Sequence, residues 1–201
     1  MRLDALIMAG GRGKRLEGVE KAMLSFRGKS MIELALDAME GSSYIQGKHV
    51  ATTKWTKKTE VWLKERDVQV VRTPGKGYVQ DMRIAMKKIG LSRALVMAVD
   101  LPLIRASDID FVVDEYQRLG KTSLAVMVPK KVFEEQGMSP SLVMHDLVPS
   151  GVNIVDLDAP GEARLVVNMP QFAANVNTQK DFDAALGLLT DGRFKYSPEV
   201  D

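Results

Sequence analysis

Leu3-Asp4-Ala5-Leu6-Ile7-Met8-Ala9-Gly10-Gly11-Arg12-Gly13-Lys14-Arg15 is the stretch whose reading decides the fold. Leu3 to Ala9 is a short apolar run of the length of a buried strand, and it stops at paired glycines with Gly13 close behind. Glycine lacks the Cβ that would keep a ligand off the backbone, and it tolerates positive φ. Cations follow: Lys14, Arg15 and, after a gap, Lys21, with Arg12 between the glycines. An apolar strand feeding such a turn suits a polyphosphate held at the carboxyl end of an α/β sheet. The same residues also read as a turn that leaves a strand for a solvated basic loop.

Outward from this stretch, strands and helices alternate. Residues 22–26 read as a brief extended segment closed by Arg27-Gly28-Lys29. Ser30 and Glu33 then form a capping box for a helix that Gly41 stops. A strand is expected near 48–53, and a weak helix over 56–66 with Val61, Trp62 and Trp55 as its apolar stripe. A β-branched strand over 68–72 leads to a second glycine turn, Gly75-Lys76-Gly77-Tyr78, which opens a helix with Tyr78, Met82, Ala85, Met86 and Ile89 on one face. The most apolar strand, 94–99, ends in Asp100-Leu101-Pro102, and Ser107 is the expected cap of a helix through Leu119. A strand follows at 124–128. Short connections between such elements predict a single-domain, doubly wound, mostly parallel α/β sheet with helices on both faces.

From Pro129 the rhythm changes. A short charged helix or loop is expected over 130–136 and a strand over 139–147. Pro149-Ser150-Gly151 reads as a connector to a strand over 152–157, with short strands at 165–167 and 173–176. Thr178 caps a last helix. We expect one domain over 1–192, divided into a nucleotide-binding half (1–128) and an acceptor-side half (129–192), then a loose tail over 193–201.

A chain of 201 residues with 45% hydrophobic and 27% charged residues fits one soluble globular domain. A net charge of +2 gives no bulk attraction to nucleic acid, so no nucleic-acid partner is expected. With no cysteine the chain has no thiolate metal site or disulfide scaffold, and a cytoplasmic location is expected. There is no secretory signal pattern and no apolar run near the roughly 20 residues of a membrane span. Oligomeric state stays open.

Two common nucleotide signatures fail. Five residues before Gly28-Lys29-Ser30 stands Met23, and before Gly120-Lys121-Thr122 stands Glu115, so neither is a P-loop. After Gly11 and Gly13 the third glycine of a dinucleotide fingerprint falls on Leu16. Asp100, at the end of the apolar strand, is a carboxylate where α/β sheets bind ligands, and oxygen ligands suit Mg²⁺. It also reads as a simple turn cap. Asn175-Val176-Asn177-Thr178 precedes the last helix, whose amino end favours anions, or else simply forms its cap. His49 and His145 read as structural, and Asp108, Asp110 and Asp114 as a solvated helix face.

Ala9-Gly10-Gly11, Arg15, Lys21, Asp100 and the Asn175–Thr178 segment together resemble the MobA-like nucleotidyltransferases. The likeness implies transfer of a nucleoside monophosphate from an NTP with release of pyrophosphate. Gly75-Lys76-Gly77-Tyr78 followed by Asp81, and Leu147 to Val155 with its Pro149-Ser150-Gly151-Val152-Asn153, resemble an archaeal branch that uses GTP and a corrinoid phosphate in cobalamin biosynthesis. The family usually has a glycine-leucine-rich turn where this chain has Gly75-Lys76-Gly77-Tyr78, and the departure favours that branch over the molybdopterin one. By this resemblance Arg15, Lys21 and Asp100 are catalytic, and Asp100 and Asn177 hold Mg²⁺. Ala9, Gly10, Gly11, Gly13, Lys14, Gly75, Lys76, Gly77 and Asn153 are then nucleotide-binding. The alternatives are a molybdopterin or sugar-phosphate acceptor, or a nucleotide-sensing module without catalysis.

Overall fold

The computed structural model describes residues 1–13, 19–66, 68–120, 122–140, 142–159 and 161–190. Lys14, Arg15 and the tail expected over 193–201 lie outside the described residues. The opening stretch is a strand, β1 (Leu3–Met8), with four of its last residues fully or nearly buried. An apolar run without a polar face is what burial on both faces of a parallel sheet demands. β1 pairs in parallel with β4 (Ile45–Thr52) on one side and with β6 (Arg93–Ala98) on the other, and β4 carries β5 (Gln69–Arg72) at the edge.

The other end of the sheet is built differently. β8 (Leu147–Asp156) runs antiparallel to both β6 and β7 (Ser123–Pro129), and β9 (Glu162–Val166) closes the edge parallel to β7. The strand order is β5-β4-β1-β6-β8-β7-β9, with β8 alone reversed. The sheet is therefore mostly parallel, as expected.

Helices cover the faces unequally. α1 (Met31–Gly41) and α4 (Ala106–Leu119) pack on one face with α2 (Lys57–Lys64), α5 (Lys130–Glu135), α6 (Pro170–Ala173) and α7 (Gln179–Thr190), around Ile7, Leu95, Met97, Val126 and Ile154. The opposite face is sealed by α3 (Tyr78–Lys88), whose Met82, Ala85 and Met86 meet Leu6, Met8, Ala51, Val71 and Val96. Among the described residues, α3 is the sole helix in this second cluster, and it packs on β5, β4, β1 and β6.

The α1 capping box forms as expected: Ser30 Oγ accepts from Glu33 N, and Glu33 accepts from Ser30 N at 2.7 Å. Several expectations are corrected. Residues 22–26 are not one extended segment. Lys21–Met23 is a single 3₁₀ turn, followed by a hairpin of β2 (Ser25–Phe26) and β3 (Lys29–Ser30) about the left-handed pair Arg27-Gly28.

In α2 the inward residues are Thr59 and Leu63, and Val61 is 61% exposed, because the periodicity of so short and polar a helix admits two faces. α4 starts one residue before Ser107, with Arg105 N bonded to Asp108 at 2.8 Å. Among the described residues of 139–147, Met144 makes an isolated bridge and the strand begins only at Leu147, while Ala173 ends α6 and 174–176 form no strand.

Pro149-Ser150-Gly151 lies inside β8 and not before it. The register against β7 slips there, Ala125 facing Asn153 while Met127 faces Pro149. The slip is a bulge: Ser150 Oγ accepts from Val152 N at 3.0 Å, and Gly151 takes a φ of 89°. A prolyl residue, which donates no ladder bond, is tolerated at such a place.

The acidic face of α4 is not solvated. Asp108 is buried and accepts from Gln171 Nε2 at 2.8 Å, Asp110 accepts from Ser42 Oγ and Ser43 N, and Asp114 accepts from Tyr44 OH. Desolvation holds the Asp108 carboxyl above its usual range, opposed by the bonds from Gln171 and Arg105.

Candidate active site

The parallel strands β5, β4, β1 and β6 release their carboxyl ends on the same side of the sheet, and the turns that leave them enclose a cavity of about 290 Å³. Ala9, Gly10, Gly11, Arg12, Lys21, Gly75, Gly77 and Asp100, all but one drawn from the expected site, meet in its lining with Trp55 and Tyr78. Gly13 and Lys76 sit in the same two turns without lining it. Asn153 lies elsewhere, in a neighbouring cavity beyond Tyr78.

Lys21 occupies the floor. Its Nζ stands 2.9 Å from Asp100 Oδ2 and 2.8 Å from Asn177 Oδ1, joining residues 79 and 156 positions away in the chain. Both charged side chains are largely enclosed, 16% and 14% exposed. Asn175 Nδ2 donates to Asp100 Oδ1 at 3.1 Å, and Val176 N donates to Asp100 O at 2.9 Å. Beneath this, the fully buried Asp181 accepts from Asn177 N, Thr178 N and Thr178 Oγ1 at 2.9–3.1 Å. A carboxylate taking several N–H and O–H donors is a rigid brace. Glu20 braces the other side, accepting from Lys58 N and Thr59 N at the amino end of α2, where a negative charge also meets the helix dipole.

The second glycine turn uses its backbone inwardly. Gly75 N, Lys76 N and Gly77 N all donate to the buried carboxylate of Asp81, at 3.0, 3.2 and 3.3 Å. These amides hold the turn open instead of facing the cavity. Gly75 is required for another reason: its φ is 76°, and a Cβ there would stand 2.0 Å from the Trp55 ring. Trp55 in turn carries the Arg12 guanidinium 3.8 Å above its ring. Tyr78 closes the far side. Its ring is 41% exposed, yet loss of solvent around the hydroxyl and the Asp100 charge both push its pKa well above the usual phenol value, so it stays a neutral donor.

Trp55, Asp181 and Glu20 escaped the sequence reading. Trp55 read as helix stripe because its partner, Gly75, is 20 residues away with no pattern to link them. The Asp181 role was visible in principle, since Thr178-x-x-Asp181 is a capping spacing.

Asp100 Oδ2 and Asn177 Oδ1 converge on one cation from two separate elements. That donor set fits Mg²⁺, a hard ion that takes one or two protein oxygens and completes its shell with water and phosphate.

A mostly parallel sheet with glycine turns, a floor lysine and a carboxylate at its carboxyl edge defines an α/β nucleotide-binding protein. Residues 5–152 match the MobA-like NTP transferase domain, and the chain belongs to that family and is a nucleotidyltransferase. It is 30% identical over 197 residues to the adenosylcobinamide-phosphate guanylyltransferase of Methanocaldococcus jannaschii, covering 93% of this chain and 97% of that one. Among solved structures it resembles a CMP:2-keto-3-deoxy-manno-octonic acid synthetase complexed with CTP, with a TM-score of 0.69 and 13% identity over 95% and 99% of the two chains. It also resembles the molybdopterin-guanine dinucleotide biosynthesis protein A of Archaeoglobus fulgidus, with a TM-score of 0.64 and 16% identity over 94% and 100%. At such identities these two show the shared fold.

Proposed function

We propose that the protein transfers GMP from GTP to the phosphate of adenosylcobinamide phosphate, giving adenosylcobinamide-GDP and pyrophosphate, in the cytoplasm. The observation that carries the chemistry is Lys21 gripped by Asp100 and Asn177 at the floor of the cavity. The acceptor rests on the Methanocaldococcus relative, alike over nearly the whole length of both chains.

A terminal phosphate has a second pKa near 6, so at neutral pH the acceptor is already an anionic nucleophile and needs no general base. One of its oxygens bonds to the α-phosphorus of GTP, and the bond from that phosphorus to the β-bridging oxygen breaks, releasing pyrophosphate. Bringing two anions together is the difficulty, so positioning and neutralisation are the protein's task. Lys21 meets the triphosphate from below, and Arg15 and Lys14 supply further charge from the first turn. Ala9, Gly10 and Gly11 take the nucleoside against their backbone, Gly75 and Gly77 shape its walls, and Gly13 and Lys76 support them from the same two turns. Asp100 and Asn177 hold Mg²⁺, which when bound offsets charge on the phosphates. Residues 1–128 thus serve mainly the nucleotide, with Asn177 reaching in from 129–192, and the rest of 129–192 serves mainly the acceptor.

Pyrophosphate release is the test. GTP with cobinamide phosphate should give turnover that CTP and UTP do not match, and that Arg15→Ala and Lys21→Ala abolish. Equal turnover in those variants, or none in the wild type, would sink the proposal.

A further inference from the structure

Beyond Tyr78 lies a second cavity of about 550 Å³, larger than the first and within the range of small-molecule sites. Its floor is the face of β7, β8 and β9 that no described helix covers, and its wall is the flank of α3. Tyr78 lines both cavities, so the two adjoin at one side chain. Pro149 also lines the second cavity. Two residues on, Gly151 stands against Ala98 and Asn175, which puts the β8 bulge beside the Asp100 carboxylate.

Exposed apolar side chains gather around it. Tyr78, Val79 and Met144 line the cavity while 41–57% exposed. Leu142 and Val143 lead into Met144, and Val166 extends the outward row of Glu162 and Arg164 along β9. Scattered single apolar residues on a surface mean little, but a contiguous patch beside a cleft marks a binding surface. Polar groups stand among them: Ser123, Asn153, the carboxylates of Asp156 (bonded to Arg93) and Glu162, and the guanidiniums of Arg83 and Arg164, which have no hydrogen-bond or ion-pair partner among the described residues.

We propose that this open face of β7, β8 and β9, with Tyr78 and Val79 as its near wall, is the platform on which the acceptor's corrinoid ring lies. The inference rests on the guanylyl-transfer reading above. A broad ring with apolar faces and amide groups at its edge fits a cleft where exposed apolar side chains alternate with amide, guanidinium and carboxylate groups able to bond those amides. The shared Tyr78 then lets the ring's phosphate reach into the nucleotide cavity.

The test compares Val79→Asp and Val166→Glu with Val61→Asp, an exposed change on α2 away from both cavities. A charge set into an apolar contact should raise KM for cobinamide phosphate about tenfold or more in the first two variants, with KM for GTP held within about twofold. Val61→Asp should leave both constants unchanged. Product formation by the wild type with an unchanged acceptor KM in both platform variants overturns the inference alone. Acceptor KM unchanged but altered self-association in sedimentation shows an interface between copies of the chain, and likewise overturns it. No product from the wild type overturns the guanylyl-transfer reading and this inference together.

Discussion

The two ends of the sheet do different work because their strands are connected differently. At the β5-β4-β1-β6 end all strands are parallel, so four carboxyl ends and their turns converge on one edge, and helices seal both faces. At the β8-β7-β9 end one reversed strand is inserted, and among the described residues α3 meets only its margin, at Val155 and Leu157, with no helix over the rest of that face. Convergence makes a small, charged, enclosed site. The mixed end makes a broader one, with exposed apolar side chains set among charged ones.

Breaking the parallel end should have the largest effect. Asp100→Ala or Lys21→Ala should lower turnover by about 10²–10³-fold, as loss of one preorganised charged partner does elsewhere. Their shared hydrogen bond makes a second prediction. Because Lys21 Nζ sits between the oxygens that fit a metal, Lys21→Met should tighten Mn²⁺ binding without nucleotide by about tenfold, read by electron paramagnetic resonance. Weaker binding in that variant would mean the lysine does not compete for those oxygens.

Next comes the glycine turn. Asp81→Ala removes the acceptor of three backbone N–H groups, and should cost about 1–3 kcal/mol in denaturant unfolding while raising KM for GTP. Unchanged GTP kinetics would separate the turn from the nucleotide. The substitutions on the open face are the counterpart at the other end, moving acceptor KM and leaving GTP alone.

The smallest effects come from two carboxylates that titrate in opposite senses. Glu60, in contact with Arg72 Nε at 2.8 Å and bonded by Thr52, is lowered from 4.5 chiefly by that arginine. Its contribution is present above 4.5 and lost as pH falls through the depressed folded value, so Glu60→Gln should cost under about 1 kcal/mol at pH 7 and nothing at strongly acid pH. Asp108, joining α4 to α6, is raised above 3.8 by burial. Its folded form binds the proton more tightly, so the stability it contributes is full below 3.8 and falls as pH rises through the raised value. Thermal unfolding of Asp108→Asn against wild type from pH 3 to 7 should show that opposite slope.

Local patterns made much of the parallel end legible. The apolar run before Gly10, the Ser30–Glu33 box, the glycine turn before Tyr78 and the carboxylate after the β6 run each have their cause within a few residues. The mixed end was misread because its causes are distant. The bulge at Gly151 is fixed by what β7 and Ala98 present to it, and a proline within a strand looks like a break until its neighbours are known. The α4 aspartates looked like solvated charge because their partners, Gln171, Ser42 and Tyr44, lie about 60 to 70 residues away.

By itself, then, the sequence determined the class of sheet, the glycine turns and the residue types at the carboxyl edge, since propensity, periodicity and capping act over one or two turns of chain. Tertiary structure alone decided that Lys21 rests on Asp100 and Asn177, that Trp55 closes on Gly75, and that no described helix lies over most of the β7-β8-β9 face. Those are contacts between segments far apart in sequence, and only packing of the whole sheet brings them within bonding distance.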